Sequence, residues 1–345
     1  MVVRPPRRRA LVPLALVTSL LCGLAAPGAV ADADATSPAP PPLPSGASGR
    51  LAVSMLDRAE VIFLDTSGQI VGRAPTAHGP RGLALHEGKL YAAARGVEDI
   101  PGSTIAEIDA VRMLKLRDIS ACARCAPRAL AFDANGTMWV SAQAHNAVYV
   151  MSPPYEAPLG SIVVAWGWPT QIVPLSGREA VAVAFRGTPT AAVLDSSRAM
   201  PVEIGPTPEV VAARPGAAEA WYALNPAGQL ASVTLPEGGM PAVERFGQVP
   251  FPQGIAFTRD GRHALVSSGG ARALVVFDAS SRAESGRLVF ETAPREIAVS
   301  PDGIRAALYF PEAKRVAIVR IDGPAPVRES EFPLAGTPGD LIWIP

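Results

Sequence analysis

From about residue 50 to the C-terminus, short apolar runs alternate with polar or Gly/Pro-rich breaks, and no stretch sustains the 3.6-residue period of an amphipathic helix. The runs come in a fixed order. The first carries a small residue at its centre, as in Leu83-Ala84-Leu85, Leu130-Ala131-Phe132, Ile255-Ala256-Phe257 and Ile297-Ala298-Val299. A tight turn ending in Gly follows, at Gly88, Gly136, Gly177, Gly216, Gly261 and Gly303. Then come a second apolar run such as Met138-Trp139-Val140, and a third that often closes on Asp, as in Val275-Val276-Phe277-Asp278. The fourth is more polar, as in Arg328-Glu329-Ser330-Glu331-Phe332. This pattern predicts antiparallel units of four short strands and an all-β fold.

The unit opens on a loop proline: Pro80, Pro127, Pro169, Pro208, Pro252, Pro294 and Pro338. Spacings of 39 to 47 residues suit one propeller blade each. A small residue at the centre of the first strand suits a blade that tapers toward the axis. The seventh copy stops just after its first strand, at Pro345. The runs Leu51-Ala52-Val53-Ser54, Val61-Ile62-Phe63-Leu64-Asp65 and Ile70-Val71-Gly72 would supply its other three strands. The expected fold is therefore a seven-bladed β-propeller, closed by N-terminal strands pairing with the C-terminal strand, which removes the open sheet edges.

The phrase Pro294-Arg295-Glu296-Ile297-Ala298-Val299-Ser300-Pro301-Asp302-Gly303 resembles the YVTN-type bacterial propeller repeat, and Leu130-Ala131-Phe132-Asp133-Ala134-Asn135-Gly136-Thr137-Met138-Trp139-Val140 is similar to the NHL-type repeat. The resemblance covers about residues 50–345 and is specific for the fold. For function it implies only a mixed group: binding proteins, lactonases, a streptogramin lyase and redox subunits. The copy at Pro208 departs most, with Arg214-Pro215-Gly216 in place of an Asp-Gly turn.

Residues 1–31 read as an export signal: Arg4, Arg7, Arg8 and Arg9, then an apolar segment interrupted by Pro13, then Ala29-Val30-Ala31. Residues 32–49, rich in Pro, Ala and Ser, read as an extended linker, and 50–345 as the propeller domain. The mature chain is expected to be periplasmic or secreted, monomeric and without a transmembrane span. Formal charge is zero overall, and no basic run lies outside the leader, which disfavours nucleic acid as a partner.

Cys122 and Cys125 fall in the loop before Pro127, and in an oxidising compartment a Cys-x-x-Cys in a loop closes a small disulfide. Ala126 stands where covalent haem attachment needs His. In propellers of this type, the loops entering the first strand share one face with those between the second and third. The residue after each anchoring proline then forms a ring: Arg81, Arg128, Thr170, Glu209, Gln253, Arg295 and Gly339. Its arginines suit an anion or carboxylate. The same face is expected to carry His78, His145, Asn146, Arg186, Trp166 and Trp168, the tryptophans as a stacking surface and the histidines as general bases. His86 and His263 read as structural residues of the opposite face. No Gly-x-Ser-x-Gly elbow and no dense His set occurs, so neither cofactor nor metal is implied. The first reading is an exported propeller binding a small anionic ligand or a partner protein at its channel face, without chemistry. The second is a lactonase or lyase with His78 or His145 as base. The third is an accessory subunit of a periplasmic redox system.

Overall fold

The computed structural model describes residues 49–345 apart from Glu98, Ala165 and Pro324. The expected leader, and all but the last residue of the expected linker, lie outside the described residues. The described chain forms seven four-stranded antiparallel sheets, the blades of a β-propeller. The inner strands, which number the blades here from 1 to 7, are β4 (Pro80–His86), β8 (Pro127–Phe132), β12 (Trp168–Pro174), β16 (Pro208–Ala213), β20 (Pro252–Phe257), β24 (Ile297–Val299) and β28 (Pro338–Ile344). Each inner strand packs beside the next, and β28 returns to β4.

The seventh blade is shared between the two ends of the domain. Its order is β28-β1-β2-β3, with β1 (Arg50–Met55), β2 (Glu60–Leu64) and β3 (Ile70–Pro75). Leu51 pairs with Trp343, Ala52 with Ile342 and Val53 with Leu341, so the ring closes as the apolar runs predict. Leu341, Trp343 and Ile344 are buried, and the Trp343 indole N–H donates to the Ala298 carbonyl of blade 6 at 3.0 Å. Burial of such side chains is worth ~1.5–3 kcal/mol each, a sum comparable with the stability of a whole domain. A chain ending at residue 337 is expected to lose its cooperative thermal transition, and a calorimetric scan showing one sharp peak would count against this account of closure.

The inner strands also set the direction of the ring residues. Pairing with the second strand slips just after the anchoring proline, between Pro80 and Gly82, Pro127 and Leu130, Pro169 and Gln171, Pro208 and Val210, and Pro252 and Gly254. In blade 7 the ladder passes from Asp340 to Pro338 and skips Gly339. Proline lacks the N–H that a strand start would leave unused. The extra residue of each bulge is released from the ladder and can turn toward the axis.

Candidate functional site

The bulges converge on one cavity of about 630 Å³ at the mouth of the central channel. All seven ring residues line it: Arg81, Arg128, Thr170, Glu209, Gln253, Arg295 and Gly339. So do Arg186, Gln171, Glu296 and Asp340.

Some of this charge is spent on architecture. Arg186 closes strand β13 (Ala180–Arg186), and its Nε and Nη2 donate to the two carboxylate oxygens of Glu209 at 3.0 Å each, a bidentate pair. Arg128 Nε donates to the Thr170 carbonyl at 3.0 Å, and Thr170 Oγ1 donates to the Glu209 carbonyl at 3.0 Å, linking blades 2, 3 and 4. Arg295 lies 3.5 Å from Glu296. The Arg81 carbonyl accepts Ser54 Oγ at 3.1 Å, but its guanidinium makes no hydrogen bond or ion pair among the described residues, although it sits in the field of Arg295, Glu296, Arg95 and Asp340. Burial, then Arg81, Arg186 and Arg95, push the Arg128 guanidinium down to about 10, against the pull of Glu209. Burial and Arg295 lower Arg81 in the same way. Cations crowded together in this manner would be relieved by an anion.

Two acids sit among these cations. Asp340 Oδ2 accepts the Leu83 backbone N–H at 2.9 Å, and its Oδ1 accepts that of Leu341 at 2.8 Å, so it ties blade 7 to blade 1. Burial, and secondarily Glu296, push the Asp340 carboxyl up to about 7 despite those bonds and despite Arg81. Burial likewise raises Glu296, opposed by Arg295, Arg81 and Arg128. Asp340 is thus poised between acid and carboxylate at neutral pH.

The other residues expected on this face do not line the cavity. His78 is exposed in the loop before β4, where its carbonyl accepts the Gly96 N–H at 3.0 Å. His145 ends a single 3-10 turn, Gln143–His145, with Nδ1 2.9 Å from the Tyr149 hydroxyl, and Asn146 caps that turn in a left-handed conformation. Trp166 packs edge-on to Phe185 at 6.2 Å, against the core between blades 2 and 3. Trp168 is opposite Arg186 across the β12–β13 ladder and 53% exposed. None of the five lines the cavity, whereas Asp340, Glu296 and Phe251, none of them singled out in the sequence, do. The reason is radial: these loops share the face but stand outside the ring that the bulges draw inward.

Cys122 and Cys125 are disulfide-bonded, with Cα atoms 5.7 Å apart. The closed loop is tied to the 3-10 turn and, through Gln143, to Arg95. Cys125 O accepts the Ala144 N–H at 2.9 Å, Ala126 O accepts the Gln143 N–H at 3.2 Å, and Gln143 Oε1 accepts Arg95 Nε at 3.0 Å. His86 stacks on Phe132 with ring centroids 4.3 Å apart, away from the cavity. Among the described residues no group of three or more His, Cys, Asp or Glu is placed to hold a metal ion, and no helix is long and apolar enough to cross a membrane.

Asp340 and Glu296 follow the ring residues of blades 7 and 6. In the other blades that position holds Gly82, Ala129, Gln171, Val210 and Gly254. Two acids in an otherwise uncharged column were the available signal.

Fold and cavity together define a seven-bladed propeller with a charged site at one channel mouth. No family model and no curated protein matches the chain. Solved propeller structures do. The periplasmic gluconolactonase of Pseudomonas aeruginosa superposes with a TM-score of 0.67 at 16% identity, over 86% of this chain and 99% of that one. A hydrazine synthase chain of Kuenenia stuttgartiensis gives 0.63 at 14% identity, over 86% and 99%. The virginiamycin B lyase of Staphylococcus aureus gives 0.60 at 13% identity, over 75% and 85%. At these identities the likeness establishes the fold.

Proposed function

We propose that this protein is an exported enzyme that opens a cyclic ester bearing negative charge, with Asp340 as general base and Arg81 and Arg128 holding the anionic group. One observation carries the reading. An arginine without a partner, Arg81, shares a cavity with a carboxyl pair whose Asp340 titrates near neutrality. A base tuned to the working pH is what proton transfer in the transition state calls for. In the proposed step, the Asp340 carboxylate takes a proton from water as the water oxygen bonds to the ester carbon. The ring C–O bond then breaks, and the leaving oxygen takes the proton that Asp340 received from water, giving a hydroxy acid and restoring the Asp340 carboxylate. Arg295, one ring position from that pair, stabilises the developing oxyanion.

The propeller neighbours that are a gluconolactonase and a lyase support this over binding without chemistry. Export is supported by the leader-like N-terminus, by the disulfide and by the periplasmic neighbour. The chain is expected to hydrolyse 6-phosphogluconolactone, followed in a pH-stat. Arg81→Ala and Arg128→Ala are expected to raise KM about 10- to 100-fold each, with kcat within about threefold, because they remove binding common to ground and transition states. No acid release above the spontaneous rate, on phosphorylated and neutral lactones alike, would overturn the enzyme reading.

One feature favours simple binding as the second reading: both Asp340 oxygens already accept backbone N–H groups. A chain that binds gluconate with unchanged affinity after Asp340→Asn, and turns over nothing, would fit that alternative.

A further inference from the structure

Apolar surface is unevenly spread around the cavity wall. Blades 1, 2 and 3 contribute Arg81, Arg128 and Arg186, whereas blades 4, 5 and 6 add Pro226, Phe251 and Pro311 beside the polar Glu209, Gln253, Arg295 and Glu296. Blade 5 stands three places from blade 1 one way around the ring and three from blade 2 the other way, so Phe251 is diametrically opposite the Arg81–Arg128 pair.

Phe251 is 56% exposed at the edge of this cavity. Leaving such a ring in water forgoes the gain of burying its apolar surface. Its backbone is at φ +48°, a region that bulky residues seldom enter and that carries strain. Blade 5 is built to keep it there. The Gly269 N–H donates to Phe251 O at 2.9 Å, the Gly270 N–H to Pro250 O at 3.1 Å, and Ser268 Oγ to Pro250 O at 2.6 Å. A Cβ on Gly270 would come within 3.2 Å of Phe251 Cδ2 and 2.8 Å of Pro250 Cβ, and one on Gly269 within 2.7 Å of Gln253 Nε2. The Gly-Gly pair therefore clears the space that both Phe251 and Gln253 occupy.

We infer that Phe251 is the apolar half of a divided substrate site, and that the ligand is an amphipathic anion: a carboxylate or phosphate on Arg81 and Arg128, and a flat apolar ring against Phe251. This rests on the cationic half of the function proposed above and adds the substrate class. Aromatic stacking of this kind adds to simple burial and favours ring faces over alkyl chains or polyols. Pro226 and Pro311 add rigid apolar surface to the same cavity and present no amide N–H that would need a partner.

The test is calorimetric titration with three probes: 4-phenylbutyrate, gluconate and inorganic phosphate. The wild-type chain is expected to bind 4-phenylbutyrate at least tenfold tighter than gluconate. Phe251→Ala is expected to erase that preference while leaving phosphate affinity within about twofold, and Arg81→Ala to weaken all three. Phe251→Asn, which tolerates the left-handed backbone, guards against an effect of strain at Ala and is expected to lose the preference equally. Gluconate binding as tightly as 4-phenylbutyrate, or a preference that survives both Phe251 variants, would overturn the inference. The readout needs no turnover, so the two proposals fail separately. Ring selectivity without lactone hydrolysis removes the enzyme reading alone. Sugar-lactone hydrolysis indifferent to Phe251 removes the amphipathic ligand alone.

Discussion

The Asp340→Asn variant is expected to open lactones about 10²- to 10⁴-fold more slowly in kcat/KM, and to lose most of a pH dependence of stability that the wild type shows. The two effects share one cause. The Asp340 carboxyl moves from 3.8 to about 7 on folding, chiefly because it is buried, and then because Glu296 is beside it. Between those values the folded chain binds a proton that the unfolded chain has released. The wild type is therefore most stable below about pH 4 as far as this group is concerned, loses stability as pH rises toward 7, and is level above. Linkage at ~1.4 kcal/mol per pH unit puts the loss at no more than about 4 kcal/mol. Asn cannot titrate. It also has one acceptor oxygen where Asp340 has two, so the N–H of Leu83 or of Leu341 is left unpaired, at ~1–3 kcal/mol. Melting curves from pH 5 to 8 should slope downward for the wild type and far less for the variant. Glu296, raised by the same burial, leaves a residual slope of the same sign. The wild-type rate should climb with pH and level off above about 7. A wild-type melting temperature flat from pH 5 to 8, or a variant rate within tenfold of wild type, would refute the assignment of Asp340 as a desolvated base.

The fold was readable because what makes a blade is local. A small residue such as Ala84, Ala131 or Ala298 at the centre of a strand, a Gly turn and three more runs can be recognised without knowing any neighbour. Ring closure was readable from the shortage of strands after Leu341 and the surplus before Pro80, which Val53 pairing with Leu341 resolves. The ring of Arg81, Arg128 and Arg295 was readable because each anchoring proline fixes the register of the residue behind it. Radial distance was not readable. Trp168 and Arg186 are ladder partners, yet only Arg186 reaches the cavity. Asp340 and Glu296 escaped notice because strict alternation turns the residue after the ring toward the neighbouring blade. The bulge breaks that phase, so two consecutive residues reach the channel. Phe251 precedes its proline and depends on a positive φ that no hydrophobic pattern encodes. The irregular copy at Pro208 keeps the same slip as its neighbours. Its Arg214, which stands in the departing turn, instead donates to the Gly261 carbonyl of blade 5 at 2.9 Å and becomes part of a charged cluster between the two blades.

That cluster sets the largest stability effect expected outside the channel: Glu219→Ala should cost ~3–5 kcal/mol, the usual penalty for removing one partner of a buried pair. Glu219 opens strand β17 (Glu219–Leu224), with a side chain only 7% exposed. Its Oε2 accepts Arg214 Nη1 at 3.2 Å, and its Oε1 accepts Arg282 Nη2 at 3.0 Å and the Trp221 indole N–H at 3.0 Å. Arg214 also donates to the Ala279 carbonyl, and Arg282 lies over the Phe246 ring at 5.1 Å and pairs with Glu244. Removing the carboxylate takes the shared buried acceptor from both guanidiniums, leaving Arg214 with backbone carbonyls and Arg282 with Glu244, and strands the indole N–H of Trp221, which is fully buried against Phe246, Phe257 and Phe277. At roughly 2–4 °C per kcal/mol for a large domain, the melting temperature should fall by about 10 °C. Glu219→Gln keeps the volume and one acceptor, so it should lose about half as much. The control is Glu284→Ala, which deletes a bidentate pair with Arg287 of equally good geometry, at 2.8 and 2.9 Å, on the solvent face. There both partners stay hydrated after the change, and the cost should stay below about 1 kcal/mol. Equal losses from Glu219→Ala and Glu284→Ala would mean that hydrogen-bond geometry, rather than burial, decides what a carboxylate contributes between these blades.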